Sequence, residues 1–225
     1  FLVAISASAL WTTFVQAFHG ALVGTTDALF HRDISFYMFT LPALSAGLSI
    51  LIALTVLSLG ATALVYVLRG QLPIGPRHGI ADRTAEARVG TLLAVLFLLT
   101  AVRLWFVRSA ELLYSTTGPL VGASYADVHF MLPGIYLSAI AALVGMWLAI
   151  WGAARGKLLR STLIAVGLYA GVGIVARGIL PLTVEKLVVL PNELAKETPY
   201  IKDHIAATRA AWDLDSVQTR ALSGE

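Results

Sequence analysis

The stretch LPALSAGLSILIALTVLSLGATALVYVL, residues 41–68, contains no charged residue. A helix needs about 20 consecutive apolar residues to cross roughly 30 Å of hydrocarbon, and this run exceeds that length. Water is absent from a bilayer core, so the backbone polar groups of such a run must pair within it. That requirement selects a helix. The alternating pattern of outer-membrane barrel strands is absent.

Further runs of the same character lie on either side, over 1–18, 89–107, 133–153 and 161–183. The sequence therefore predicts an all-α fold: a polytopic transmembrane helical bundle of about five spans, with short interfacial helices. Composition agrees. Of 225 residues, 58% are hydrophobic and 13% charged, against about 25% charged in soluble domains. Mean hydropathy is +0.81. The chain has no cysteine, which excludes disulfides and thiolate-based metal or redox sites within it. A net charge of +3 is too small to suggest nucleic-acid binding.

Residues 1–185 read as the transmembrane domain. Residues 186–225 read as the start of an extracytoplasmic soluble domain, because LPNELAKETPYIKDHIAATRAAWDLD (190–215) is polar and helix-compatible. Thr198 is a suitable N-cap with Pro199 at the first helical position. Ile201, Ile205, Thr208 and Trp212 then share a face. The sequence opens on Phe1 inside an apolar run and stops at Ser223-Gly224-Glu225, which reads as an internal piece of a longer chain.

Lysines and arginines set the orientation. Loop 69–88 carries Arg69, Arg77, Arg83 and Arg88, and loop 154–160 carries Arg155, Lys157 and Arg160. The alternate loops carry only Arg32 and Arg108. The basic loops are expected to be cytoplasmic and the C-terminal segment extracytoplasmic, in a multi-pass protein of the bacterial plasma membrane. Tyr66, Trp147 and Trp151 then mark one interface, and Trp105, Tyr114, Tyr125 and Tyr136 the other.

Chemistry-bearing side chains concentrate in GASYADVHFMLP, 122–133. Ser124 followed by Asp127 is a variant of the capping box, and Gly122 frees the turn before it. The spacing of Tyr125, Val128, His129 and Leu132 predicts a short helix over 122–132, lying in the outer interface and not crossing the membrane. A metal or proton site is the sharper alternative. Asp127, His129 and Glu111, joined by Asp33, His31 or His19, would suit zinc or manganese. Residues two apart on a helix do not face each other, which favours the cap.

Arg103 and Arg177 fall inside or near spans, where a charge is costly. With Glu111 and Glu185 they predict structural ion pairs or headgroup contacts. Arg177 is expected to pair with Glu111, Asp127 or Glu185. Gly167 and Gly171, and Ala141 and Gly145, have the four-residue spacing of close helix packing, within the bundle or against a partner subunit. All five histidines fall in loops or at interfaces, which argues against haem or chlorin ligation within the spans. Walker, GxSxG and HExxH motifs are absent. No cofactor is expected. Broken helices are not obvious, and Pro181 reads as a bend at the exit of the last span.

The blocks GASYADVHFMLP and PNELAKETPYI, with DISFYMFTLP (33–42), ELLYS (111–115) and IAATRAAWDLD (205–215), resemble the bacterial uncharacterised protein family zero-one-eight-two. The resemblance implies a polytopic plasma-membrane part followed by a large extracytoplasmic domain. It implies no activity and no catalytic residues. Leu190 departs from it, standing where a polar or charged residue is common.

The expected function is a non-enzymatic scaffold or accessory subunit of a membrane or envelope assembly. Its partners would be the lipid bilayer and other membrane-protein subunits. The alternative is a transporter or lipid-handling protein using Arg103, Arg177 and the outer loops. A metal-dependent envelope enzyme is a third reading.

Overall fold

The structure is a computed structural model that describes residues 8, 10–72, 82–116 and 121–217. It is helical, and no strand longer than the isolated Thr26–Asp33 bridge occurs among the described residues. A short helix, α1 (Trp11–His19), comes first. Among the described residues, four helices long and apolar enough to cross a membrane follow: α2 (Phe36–Leu68), α3 (Arg83–Arg108), α4 (Asp127–Arg155) and α5 (Leu158–Ala211). Of the span predicted over 1–18, residues 1–7 and 9 lie outside the described residues.

Local chemistry fixes several boundaries. The Asp82 carboxylate accepts the Thr84 N–H at 2.9 Å, an N-cap that starts α3 six residues before the expected position. Gly156 takes φ +66° and ends α4, a left-handed conformation that glycine adopts without a side-chain penalty.

α4 lies between α3 and α5, and small residues set the approach. Ala142, Ala149, Ala165 and Ser138 are fully buried. A Cβ on Gly90 would lie 2.5 Å from the Ala153 Cβ, and one on Gly145 2.8 Å from the Phe97 ring. Gly134 packs on the Ala176 carbonyl and Gly152 on the Ser161 side chain. In lipid no hydrophobic gain separates helix from hydrocarbon, so close van der Waals contact between small residues carries this packing. α2 is peripheral: none of its most apolar window is buried, and Leu51, Leu54, Leu57 and Leu64 are exposed.

Leu72, Ala85, Val89, Ala153 and Leu158 form one cluster. It brings the end of α2, the start of α3 and the connection between α4 and α5 to one end of the bundle. Tyr37, Leu41, Val107 and Ala110 cluster at the opposite, far end.

Among the described residues, the far half of the bundle contains five wide π turns: Phe36–Thr40, Arg103–Arg108, Asp127–Met131, Val175–Ile179 and Glu185–Val189. Each closes with an N–H donating to the carbonyl five residues back: Leu41 to Phe36, Ser109 to Leu104, Leu132 to Asp127, Leu180 to Val175 and Leu190 to Glu185. Four of the five donors are the leucine of a Leu-Pro pair: Leu41-Pro42, Leu132-Pro133, Leu180-Pro181 and Leu190-Pro191. A proline within a helix lacks the N–H, and its ring presses on the carbonyl four residues before. Widening the preceding turn moves that carbonyl aside while the leucine N–H stays bonded.

These turns correct several expectations. Residues 122–132 are not a separate interfacial helix. Helical turns from Tyr125 run directly into α4 through the wide turn Asp127–Met131 before Pro133. The expectation of regular spans gives way to helices widened at each of these prolines. The helix continues past Pro181, over Leu158–Ala211, and departs from helical angles at Asn192. Thr198 is not an N-cap. The final helical segment starts at Glu193, after Asn192 leaves helical geometry at φ −132°, and the Thr198 hydroxyl donates back to the Leu194 carbonyl. Pro199 lies inside that segment.

Candidate functional site

The first turn of α4 is capped from two directions. Within the turn, the Ser124 N–H donates to Asp127 Oδ2 at 3.2 Å, and the Asp127 N–H donates to Ser124 Oγ at 3.3 Å. This is the reciprocal capping box read from the sequence, closed by a Ser124 hydroxyl bond to the same carboxylate at 3.1 Å. From across the fold, the Glu197 carboxylate accepts the Tyr125 N–H at 3.1 and 3.3 Å. A carboxylate at a helix N-terminus satisfies an unpaired donor and complements the helix dipole. Ser124 and Asp127 are each 3% exposed and Glu197 1%.

Aromatic contacts close the arrangement into a knot. The Tyr125 ring stacks on His129 with centroids 4.3 Å apart, and the Lys196 ammonium stands 4.7 Å over the same ring. Tyr200 meets Tyr125 edge-on, and its hydroxyl lies 3.3 Å from His129 Nδ1. Lys196, Glu197 and Tyr200 share a face by helical spacing. Two blocks whose bonded residues lie 71 and 72 positions apart, GASYADVHFMLP and PNELAKETPYI, are thus one structural unit.

Carboxylates gather beside the knot. Glu185 faces Glu197, Asp127 and Glu193 closely enough for their charges to interact, and its Oε2 is buried with no hydrogen-bond partner.

The metal candidates do not assemble. Glu111 pairs with Arg108 at 2.8 Å, Asp127 is engaged by Ser124, and His129 Nδ1 lies 3.2 Å from the Tyr125 carbonyl. Among the described residues, no three histidine, aspartate or glutamate side chains come together as a metal site. The ion pair expected for Arg177 is also not formed with Glu111, Asp127 or Glu185. Its guanidinium turns back along α5, over Gly173 and 5.7 Å from the Tyr169 ring, whereas Glu185 lies two helical turns ahead. Arg103 donates to Ser49 Oγ at 3.0 Å. A cleft of about 270 Å³ lies between α2, α3 and α5, lined by Arg103, Arg108 and Arg177.

Of the small-residue pairs, Ala141 and Gly145 are buried against neighbouring helices. Gly167 and Gly171 are exposed, and a Cβ on either would meet nothing within 4 Å. Packing inside the bundle therefore rests on α4. Gly167 and Gly171 face away from it.

Near the start of α2 two carboxylates organise residues 23–35. Asp27 accepts the N–H groups of Leu29, Phe30 and Arg32 and the Tyr37 hydroxyl. Burial raises its pKa, but these four bonds together hold it below the ordinary carboxylate value. Asp33 accepts from Val23, Gly24 and Ser35. Its bonds to Ser35, then those to Gly24 and Val23, lower its pKa to about 2. A carboxylate with a depressed folded pKa stabilises the loop above its unfolded value, 3.8, and that contribution is lost as pH falls toward about 2. The Gly24 amide is therefore expected to exchange slowly at pH 5 and increasingly fast, relative to its intrinsic rate, between pH 4 and pH 2. Asp33→Asn should raise its exchange already at pH 5, as read by hydrogen exchange.

Residues 1–225 match the uncharacterised protein family UPF0182. UPF0182 proteins of Frankia alni and Cupriavidus necator are 35% and 36% identical to this chain over 97% and 100% of its length. One from Bradyrhizobium diazoefficiens is 34% identical over 100%. The chain spans 21%, 24% and 24% of those proteins' own lengths. No solved structure matches.

Proposed function

We propose that this chain, which belongs to the uncharacterised protein family UPF0182, is the membrane anchor of a non-enzymatic scaffold or accessory subunit. It sits in the bacterial plasma membrane with its basic end in the cytoplasm, following the distribution of arginine and lysine. The observation that carries this reading is the knot. Glu197 and Tyr200 clamp the polar segment after Pro191 onto the first turn of α4, so whatever follows that segment is held in fixed relation to the spans. Two surfaces support the docking of further protein. Gly167 and Gly171 present a small-residue face of the kind that admits a partner helix closely. Leu194, Ile205 and Trp212 are exposed on the polar segment, at 80%, 50% and 75%.

The test is affinity purification of the full-length protein from native membranes, as wild type and as Tyr125→Ala and Gly171→Leu variants. Partners that copurify with the wild type should be lost from at least one variant while the amount of the protein in the membrane is unchanged. Copurification of no protein with the wild type would remove the subunit reading.

A further inference from the structure

Three guanidinium groups border the cleft between α2, α3 and α5, and a carboxylate pairs with one of them. Arg108 has its partner in Glu111 at 2.8 Å. Arg103 has a neutral one, the Ser49 hydroxyl at 3.0 Å. Arg177 Nε is buried and has no hydrogen-bond partner. Its guanidinium stands 5.7 Å from the Tyr169 ring centroid, a contact that favours a cation.

The direction of Arg177 is the decisive feature. An arginine near the end of a span ordinarily snorkels toward the nearer interface. Arg177 does the reverse. Its side chain folds back toward the start of α5, and Gly173 makes room for it: a Cβ there would lie 2.6 Å from Nη2. The wide turn Val175–Ile179 holds Arg177 at its centre, and the wide turn Arg103–Arg108 carries an arginine at each end. In an α-helix of 3.6 residues per turn, residues five apart stand about 140° apart, and the wider π turn narrows that angle. Arg103 and Arg108 thus both border the space that Arg177 enters from α5. Ile52 and Leu104 supply an apolar border to it.

We propose that this cleft binds a phosphate group, with Arg103 and Arg177 as its ligands and Gly173 as the residue that clears the space. A guanidinium fork matches the oxygens of a phosphate, and such pairs are strongest where water is scarce. The phosphate is carried either by an anionic phospholipid, whose glycerol and chains run over Ile52 and Leu104, or by a soluble anion. The site is independent of the anchoring role and does not require it.

The experiment is native mass spectrometry of the full-length protein in detergent, titrated separately with phosphatidylglycerol, phosphatidylcholine and inorganic phosphate. Phosphatidylglycerol should bind at least tenfold more tightly than phosphatidylcholine if the source is a lipid. Saturable binding of inorganic phosphate, without that lipid preference, identifies a soluble source at the same site. In either case Arg103→Gln and Arg177→Gln should each weaken binding at least tenfold. Gly173→Leu, which leaves every charge in place, should do the same, and Arg177→Lys should retain part of the affinity. Photoactivatable phosphatidylglycerol on the wild-type protein covers the event that a variant fails to fold: lipid-source binding requires adducts on α3 and α5 around these arginines. The proposal is overturned if neither ligand binds, if the folded Gln and Leu variants bind as the wild type does, or if a lipid that does bind labels only other helices.

Discussion

Gly134→Val is expected to be the most damaging single substitution in the bundle. Gly134 sits against the Ala176 carbonyl, and even the first carbon of a side chain would overlap that oxygen and its carbon. The obstacle is backbone, so no rotamer change relieves it. α5 must move off α4, at a cost at or above the roughly 1–3 kcal/mol typical of overpacking. The displaced turn is Val175–Ile179, so Arg177 should shift with it. Gly171→Val is the control. Nothing lies within 4 Å of a Cβ there, and thermal unfolding in detergent should leave its stability close to wild type. Equal loss of stability in the two variants would contradict the packing described for α4 and α5.

The second large effect is expected at Glu197. Its carboxylate accepts the Tyr125 N–H, and Glu197→Ala leaves that donor buried without its partner. The desolvated N–H costs about 1–3 kcal/mol. Loss of an anion from a helix N-terminus adds about 0.3–1 kcal/mol. Glu197→Gln keeps an acceptor oxygen and should cost about 1 kcal/mol or less, since only the charge-assisted part of the bond is lost. Hydrogen exchange is the discriminating readout. In the alanine variant, residues 193–211 and the Tyr125 amide should lose protection together, while α3 keeps its own. Loss of protection spread evenly over the bundle would mean that Glu197 supports global folding and does not clamp one segment.

Spans two to four were legible in the sequence because their signal is composition and length, which no tertiary contact overrides. The far end was legible only in part. The Ser124–Asp127 cap could be read because both partners lie within one turn. Glu197 could not, because the N–H it accepts belongs to a residue 72 positions earlier. PNELAKETPYI was singled out as a block without any sign of which residue it would touch. The wide turns did leave a local signal, the recurrent Leu-Pro pair, and the bend read from Pro181 alone missed its repetition at Pro42, Pro133 and Pro191. For Arg177, the carboxylates near the spans suggested an ion pair, whereas the guanidinium lies over Gly173. The same limit applies to Gly167 and Gly171. Spacing identifies a small-residue face, but not which side of the helix looks into the bundle.

The central claim is that the polar segment after Pro191 is clamped to the first turn of α4, and a photocrosslink tests it most directly. A benzophenone side chain placed at Tyr200 of the full-length protein would be activated in intact native membranes, and its adducts mapped by mass spectrometry. The account predicts intramolecular adducts to the peptide that contains Tyr125 and His129, diminished by Glu197→Ala. Adducts confined to lipid, or to segments away from residues 121–131, would contradict it.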